Sequence, residues 1–186
     1  MKNLYLGNHK KGEIEIIEEV EVFRNEFVTH YNDKVIFPNG TKGRYLRSVW
    51  NAPYGVMVIA IKEEKLLLIR NFRHEKRQWT WEIIKGFGEV DLLPSDCAKK
   101  ELIEETGYTS DILIEYKKFP DNGLECTLYV AKCLKEISGG VKEDGEAISD
   151  VAFFSKESAS ELIRSEECID PVTLFVLSEF IADKFN

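Results

Sequence analysis

The chain reads as an α/β (α+β) protein, helices layered on a mixed β-sheet behind an N-terminal antiparallel β-meander, and three observations predict this. The element order is strands, helix, strands and then two helices, the alternation of a layered fold. Ile- and Val-rich runs bounded by Asn-Asp and Pro-Asn-Gly turn signals fill residues 1–50, whereas 94–106 has helical composition with a glycine behind it. With 186 residues and 44% hydrophobic content the chain can bury a sizeable core, which excludes disorder.

Ile14 to Val22, Phe27 to Tyr31 and Lys34 to Phe37 read as strands, the last two flanking an Asn32-Asp33 turn. Pro38-Asn39-Gly40 marks a second turn before Arg44 to Trp50. Residues 1–50 are therefore expected as an N-terminal strand region, and 51–186 as the main domain. From Gly55 the run Val-Met-Val-Ile-Ala-Ile, a turn at Glu63-Glu64 and Leu66 to Arg70 form a more deeply buried hairpin. A helix over Pro94 to Thr106 follows. Gly107 suits a left-handed residue just past its end, while Leu93 offers no side-chain oxygen to cap its start. Ile112 to Glu115, Cys126 to Cys133 and Ile148 to Phe154 return to strand pattern. Lys156 to Arg164 and Pro171 to about Lys184 read as helices, the second announced by Asp170 as N-cap and Pro171 in its first turn.

Charge excludes several functions. Lys and Arg number 25 against 33 Asp and Glu, a net charge of -8, so neither nucleic acid nor an anionic membrane is held by bulk charge. The longest apolar run, Val56 to Ile61, is too short to cross a bilayer, and Met1 to Val20 has no apolar core. A soluble, cytoplasmic protein is expected. The four cysteines form no CxxC pair and are expected as buried free thiols. No G-x-S-x-G elbow and no Walker sequence occurs, and Gly86-Phe87-Gly88 lacks the spacing of a dinucleotide fingerprint. His9, His30 and His74 are scattered, so a Ser-His-acid hydrolase lacks its parts.

Chemistry concentrates between Gly86 and Tyr108. Glu101, Glu104 and Glu105 sit at i, i+3 and i+4, so three carboxylates share one face of the helix. Only Glu104 has a basic residue one turn back, Lys100. Clustered carboxylate oxygens on a rigid element suit Mg²⁺ or Mn²⁺, and an acidic solvated helix face is the plainer alternative.

The surrounding residues resemble the Nudix box, Gly-x5-Glu-x7-Arg-Glu-U-x-Glu-Glu-x-Gly-U with U apolar. Gly86 falls at its first Gly, and Glu101, Leu102, Glu104, Glu105 and Gly107 fit their positions without a gap. Leu92 stands where the pattern has Glu and Lys100 where it has Arg, with Tyr108 at the last position. Lysine keeps the charge and loses the planar fork that orients carboxylates. Outside the box the chain is similar to the ADP-ribose pyrophosphatase branch. Asn71-Phe72-Arg73 resembles its Gln-Tyr-Arg, Trp81-Glu82-Ile83-Ile84-Lys85-Gly86 its Trp-Glu-Leu-Pro-Ala-Gly, and Pro120 with Glu125 keep the spacing of its Pro-Gly-Phe-Ser-x-Glu.

The resemblance implies a Nudix-type mixed sheet sandwiched between helices. It also implies Mg²⁺- or Mn²⁺-dependent hydrolysis of a nucleoside diphosphate linked to another group, ADP-ribose to AMP and ribose 5-phosphate or a nucleotide sugar. Glu101, Glu105 and the Lys85 carbonyl are the implied metal ligands, and Glu104 completes or orients the cluster. Lys85 is expected to act through its main chain only. The acidic stretch Lys142 to Ala147 resembles the loop that supplies a further ligand, Glu146, and a general base, Asp144; an acidic solvated turn is the other reading. Arg47 and Arg73 are expected at phosphate or ribose, or in strand-surface ion pairs. Glu82 is expected at a ribose or base amine, or paired with Arg73, and Glu125 at substrate. Trp79 and Trp81 stack on a purine or belong to the core. Residues 1–50 resemble the region through which that branch forms homodimers. The departures at Leu92 and Lys100 motivate a second reading, a catalytically weak nucleotide sensor built on the same fold.

Overall fold

A computed structural model describes residues 4–137 and 147–185. It divides into two compact units, Met1–Ala52 with Pro120–Leu124, and Pro53–Phe119 with Glu125–Asn186.

In the first unit β3 (Val28–Ile36) is the central strand. It pairs antiparallel along one edge with β4 (Lys42–Trp50), and along the other with β1 (Glu15–Glu18) and β2 (Glu21–Arg24) laid end to end. The meander is present, with two corrections. The expected Asn32-Asp33 turn does not exist, because β3 runs straight through it. Asp33 is buried there, and its carboxylate accepts hydrogen bonds from Val20 N–H at 3.2 Å and Arg47 Nε at 2.8 Å. A carboxylate so satisfied can sit inside a strand. The single strand expected over Ile14 to Val22 is two, broken where Val20 turns its N–H to Asp33 and its carbonyl to Asn32 N–H. Pro38-Asn39-Gly40 does form a turn, with Gly40 at φ 82° and its N–H on the Phe37 carbonyl.

The second unit is built on β5 (Gly55–Lys62), which is buried from Gly55 to Ala60. It runs parallel to β11 (Leu124–Lys132) and antiparallel to β6 (Lys65–Arg73), so the sheet is mixed, as expected. The β5–β6 turn places Glu63 at φ 50° and Glu64 at φ 59°, the left-handed pair of a tight hairpin. The two strands pair only from Ala60↔Leu67 to Lys62↔Lys65. Beyond that they part, and two strands fill the gap: β7 (Gln78–Glu82) on β6 and β8 (Ile84–Phe87) on β5. Neither is expected from the sequence, where indole, hydroxyl, charge and glycine follow one another without a period. β13 (Ile148–Phe154) takes the other edge of β6, and β10 (Ile112–Asp121), longer than its expected four residues, lies beyond β11, while the short β9 (Tyr108–Thr109) and β12 (Lys135–Glu136) pair with each other.

α1 (Pro94–Thr106) packs on β5 and β8. Cys97, Ala98 and Leu102 meet Val56, Val58, Ala60 and Ile84 in one buried cluster. Each fully buried Leu or Val side chain contributes about 1.5–3 kcal/mol. Alternation along β5 sends Met57 and Ile59, also buried, to the opposite face. Pro94 opens the helix without a side-chain cap from Leu93, and Gly107 closes it at φ 75° with its N–H on the Ile103 carbonyl. α2 (Lys156–Ile163) and α3 (Pro171–Ile181) pack on each other. Cys97, Cys126 and Cys168 are buried free thiols as expected, whereas Cys133 is exposed at a positive-φ bend.

Candidate functional site

The packing of α1 against β8 brings its acidic face to the backbone of Lys85 and Gly86. Glu105 is 2% exposed, and its Oε2 accepts a hydrogen bond from Lys85 N–H at 3.3 Å. Glu101 lies against Gly86 so closely that a β-carbon there would fall 2.0 Å from its Cδ and Oε1. Two carboxylates of the expected trio therefore converge on adjacent backbone, Glu105 at the Lys85 N–H and Glu101 at the Gly86 Cα. Glu104 sits one step round the helix, 3.5 Å from Lys100 Nζ. Lys100 also donates to Glu89 Oε1 at 2.7 Å. The hydrogen bond to Glu89 raises the Lys100 pKa most, and Glu104 adds to it against the cost of burial.

Among the described residues no three His, Cys, Asp or Glu side chains are grouped to hold a metal ion. The donors present are all oxygen: two carboxylates facing a glycine cradle that any larger residue would fill. That chemistry suits a hard divalent cation that keeps water and substrate oxygens in its other positions. Asp144 and Glu146, the expected base and further ligand, lie outside the described residues.

Beside this peptide runs a chain of ion pairs. Glu82, 2% exposed at the end of β7, is gripped by Arg73 through Nε at 2.9 Å and Nη2 at 2.5 Å. Lys85 Nζ lies 2.9 Å from Glu82 Oε2 and 2.7 Å from Asp170 Oδ1. Asp170 caps α3 by accepting from Thr173 N–H and Thr173 Oγ1, and Thr173 Oγ1 accepts from Ile83 N–H at 3.1 Å. The hydrogen bond to Glu82 leads in raising the Arg73 pKa. Burial alone would push the Asp170 carboxyl up, yet the Lys85 ammonium and the Thr173 donors hold it below its ordinary 3.8.

The other expected site residues are placed as follows. Glu82 and Arg73 pair with each other, the second of the two readings open to them. The Lys85 side chain makes ion pairs of its own, to Glu82 and Asp170. Arg47 belongs to the first unit, where it binds Asp33 and Glu19, each at 2.8 Å, and lies over the Tyr31 ring. Glu125 is exposed on β11. Trp79 packs edge-on against Phe72 and Trp81 against Phe154. Sequence reasoning found Asp170 as a cap but missed its bond to Lys85, and missed Glu89; no local pattern marks either contact.

The family model of the NUDIX domain matches residues 52–173. The chain is 27% identical over 173 residues to the ADP-ribose pyrophosphatase of Bacillus subtilis (strain 168), covering 90% of this chain and 92% of that protein. It is 30% identical over 175 residues to the methanol dehydrogenase activator of Bacillus methanolicus, with the same two coverages, 90% and 92%. Among solved structures, that of an ADP compounds hydrolase superposes with a TM-score of 0.75 at 20% identity, covering 92% of this chain and 96% of that one.

Proposed function

The chain belongs to the Nudix family, and from that premise we propose that this pyrophosphohydrolase cleaves a nucleoside diphosphate linked to another moiety, ADP-ribose first among them, to two monophosphates. The observation that carries the reading is the convergence of Glu101 and Glu105 on the Lys85–Gly86 backbone. The name of the Bacillus subtilis relative supports ADP-ribose as substrate. A nucleotide sugar is the next substrate to test.

Glu101, Glu105 and the Lys85 carbonyl hold the metal in this reading, Mg²⁺ or Mn²⁺, with Glu146 as a further ligand. When bound, the cation offsets the charge of the diphosphate and makes water acidic enough to attack near neutral pH. Asp144 takes the proton of the attacking water. Glu104, held by Lys100, keeps the helix face oriented. Arg73 has its fork engaged by Glu82, so it meets a phosphate only through its remaining edge. Glu125, exposed on β11, contacts the substrate.

Residues 1–50 serve as a dimerisation element and 51–186 as the hydrolase domain. Val22, Phe23, Phe27, Tyr45 and Leu46 are all exposed on the first unit, Leu46 by 72%, which supports a homodimer covering them. None of the four cysteines is in a disulfide, which fits a reducing cytoplasm.

Product analysis tests the reading. Purified protein with Mg²⁺ or Mn²⁺ releases AMP and ribose 5-phosphate from ADP-ribose, and chelation by EDTA stops it. Binding of ADP-ribose without product, across a diphosphate panel and both metals, would instead establish the sensor reading. Light scattering at micromolar concentration reads twice the chain mass for the homodimer.

A further inference from the structure

We propose that the Lys85 side chain is a positioning residue: its ammonium, clamped between Glu82 and Asp170, locks the peptide that faces Glu101 and Glu105 to the N-terminus of α3. The inference rests on the metal reading above and adds to it a part that the box motif does not contain.

Segment 167–173 is stitched to β7 and the start of β8 at successive points. Trp81 N–H donates to the Glu167 carbonyl at 2.7 Å, Ile169 N–H to Thr80 Oγ1 at 3.3 Å, and Ile83 N–H to Thr173 Oγ1 at 3.1 Å. The last stitch, Lys85 to Asp170, differs in kind because it is ionic and shielded, each side chain being 17% exposed. Two cations, Arg73 and Lys85, meet two carboxylates, Glu82 and Asp170, so the group is neutral as a whole. Breaking one pair in such a group leaves a shielded charge uncompensated. The network is therefore stiff, and its end is the residue whose own N–H is bonded to Glu105. Lys85 is thus held from both sides: its side chain by α3 and β7, its amide by α1. A backbone so fixed presents its carbonyl at one place. Without the ammonium the strand is free to shift against α1.

Three variants test this. Lys85→Met with Asp170→Asn removes both charges of the terminal pair and keeps an Asn as helix cap. Amide hydrogen exchange in metal-free protein reads the clamp directly. The amides of residues 84–86 exchange faster in the double variant, while those within α1 are unchanged. Mn²⁺ titration by electron paramagnetic resonance reads the coupling: affinity falls about tenfold, the scale on which outer partners of metal ligands act. Turnover falls with it through kcat more than KM, and Lys85→Arg restores most of both. Should the double variant not fold, Asp170→Asn alone carries the same readouts, since Glu82 remains to pair with Lys85. A folded variant with wild-type exchange at 84–86 and wild-type Mn²⁺ affinity overturns the proposal and leaves the metal reading standing. Absence of Mn²⁺ binding in the wild-type protein overturns both.

Discussion

The carboxylate of Glu101 occupies the space that a β-carbon on residue 86 would take, 2.0 Å from its Cδ and Oε1. Gly86 is not among the glycines with positive φ, so the backbone does not demand it; the approach of Glu101 does. Since the obstacle is the end of a flexible side chain, Gly86→Ala is expected to fold, with a melting shift worth about 1 kcal/mol or less. Glu101 must swing away, and Mn²⁺ affinity is expected to drop at least about tenfold, with turnover following. Melting curves beside metal titration check this, and an unimpaired Gly86→Ala enzyme would show that Glu101 plays no part.

Glu105→Gln separates charge from shape. The buried Glu105 accepts from Lys85 N–H, and a glutamine carbonyl oxygen can accept the same bond. The fold is therefore expected to persist, whereas turnover supported by metal falls by about a hundredfold or more, the scale lost when a preorganised electrostatic contact is removed. Circular dichroism and initial rates measured on one preparation decide it. Full activity would remove Glu105 from the ligand set.

What was legible in the sequence is what local chemistry controls. Pro94 and Gly107 bound α1 where expected, and Asp170 caps α3, because each acts on its own few residues of backbone. The spacing of Glu101 and Glu105 is a helix property, so their common face followed too. Partners distant in sequence were not legible. Asp33 looked like a turn because its partners inside β3 come from elsewhere in the chain, Arg47 from β4 and Val20 from the break between β1 and β2. The strands at Gln78–Glu82 and Ile84–Phe87 exist because β5 and β6 part and leave edges to fill, and no pattern within those residues records that. The Lys85–Asp170 pair is of the same kind.

The departures at Leu92 and Lys100 can be weighed against the structure. Leu92, half-buried, packs on the buried cluster beneath α1. Lys100 already has a carboxylate partner in Glu89, three residues before the position where the pattern places its Glu. Restoring the pattern with Leu92→Glu and Lys100→Arg therefore removes apolar packing and duplicates an existing ion pair. The double variant is expected to lose about 1–2 kcal/mol of stability and gain no turnover. Denaturant melts and kcat test it; a severalfold rise in kcat would mean that Glu89 does not stand in for the missing carboxylate.

The cysteines give a pH test that involves no metal. Burial pushes the Cys168 thiol up from an ordinary 9.0 to about 11, outweighing the hydrogen bond at Asp170 that lowers it. Iodoacetamide must reach the sulfur, so at pH 8 the buried Cys97, Cys126 and Cys168 are expected to be inert and the exposed Cys133 to take one equivalent. In guanidinium all four react. The raised folded value also sets a direction for stability. The native state keeps its proton where the unfolded chain has lost it, so the contribution is whole below pH 9.0 and is lost as pH rises through about 11. Between those two values the melting temperature of Cys168→Ala is expected to fall less with rising pH than that of the parent, even if the variant melts lower at neutral pH through the cavity it leaves. Parallel melting curves of the two proteins from pH 8 to 11 would show that Cys168 does not hold its proton in the native state.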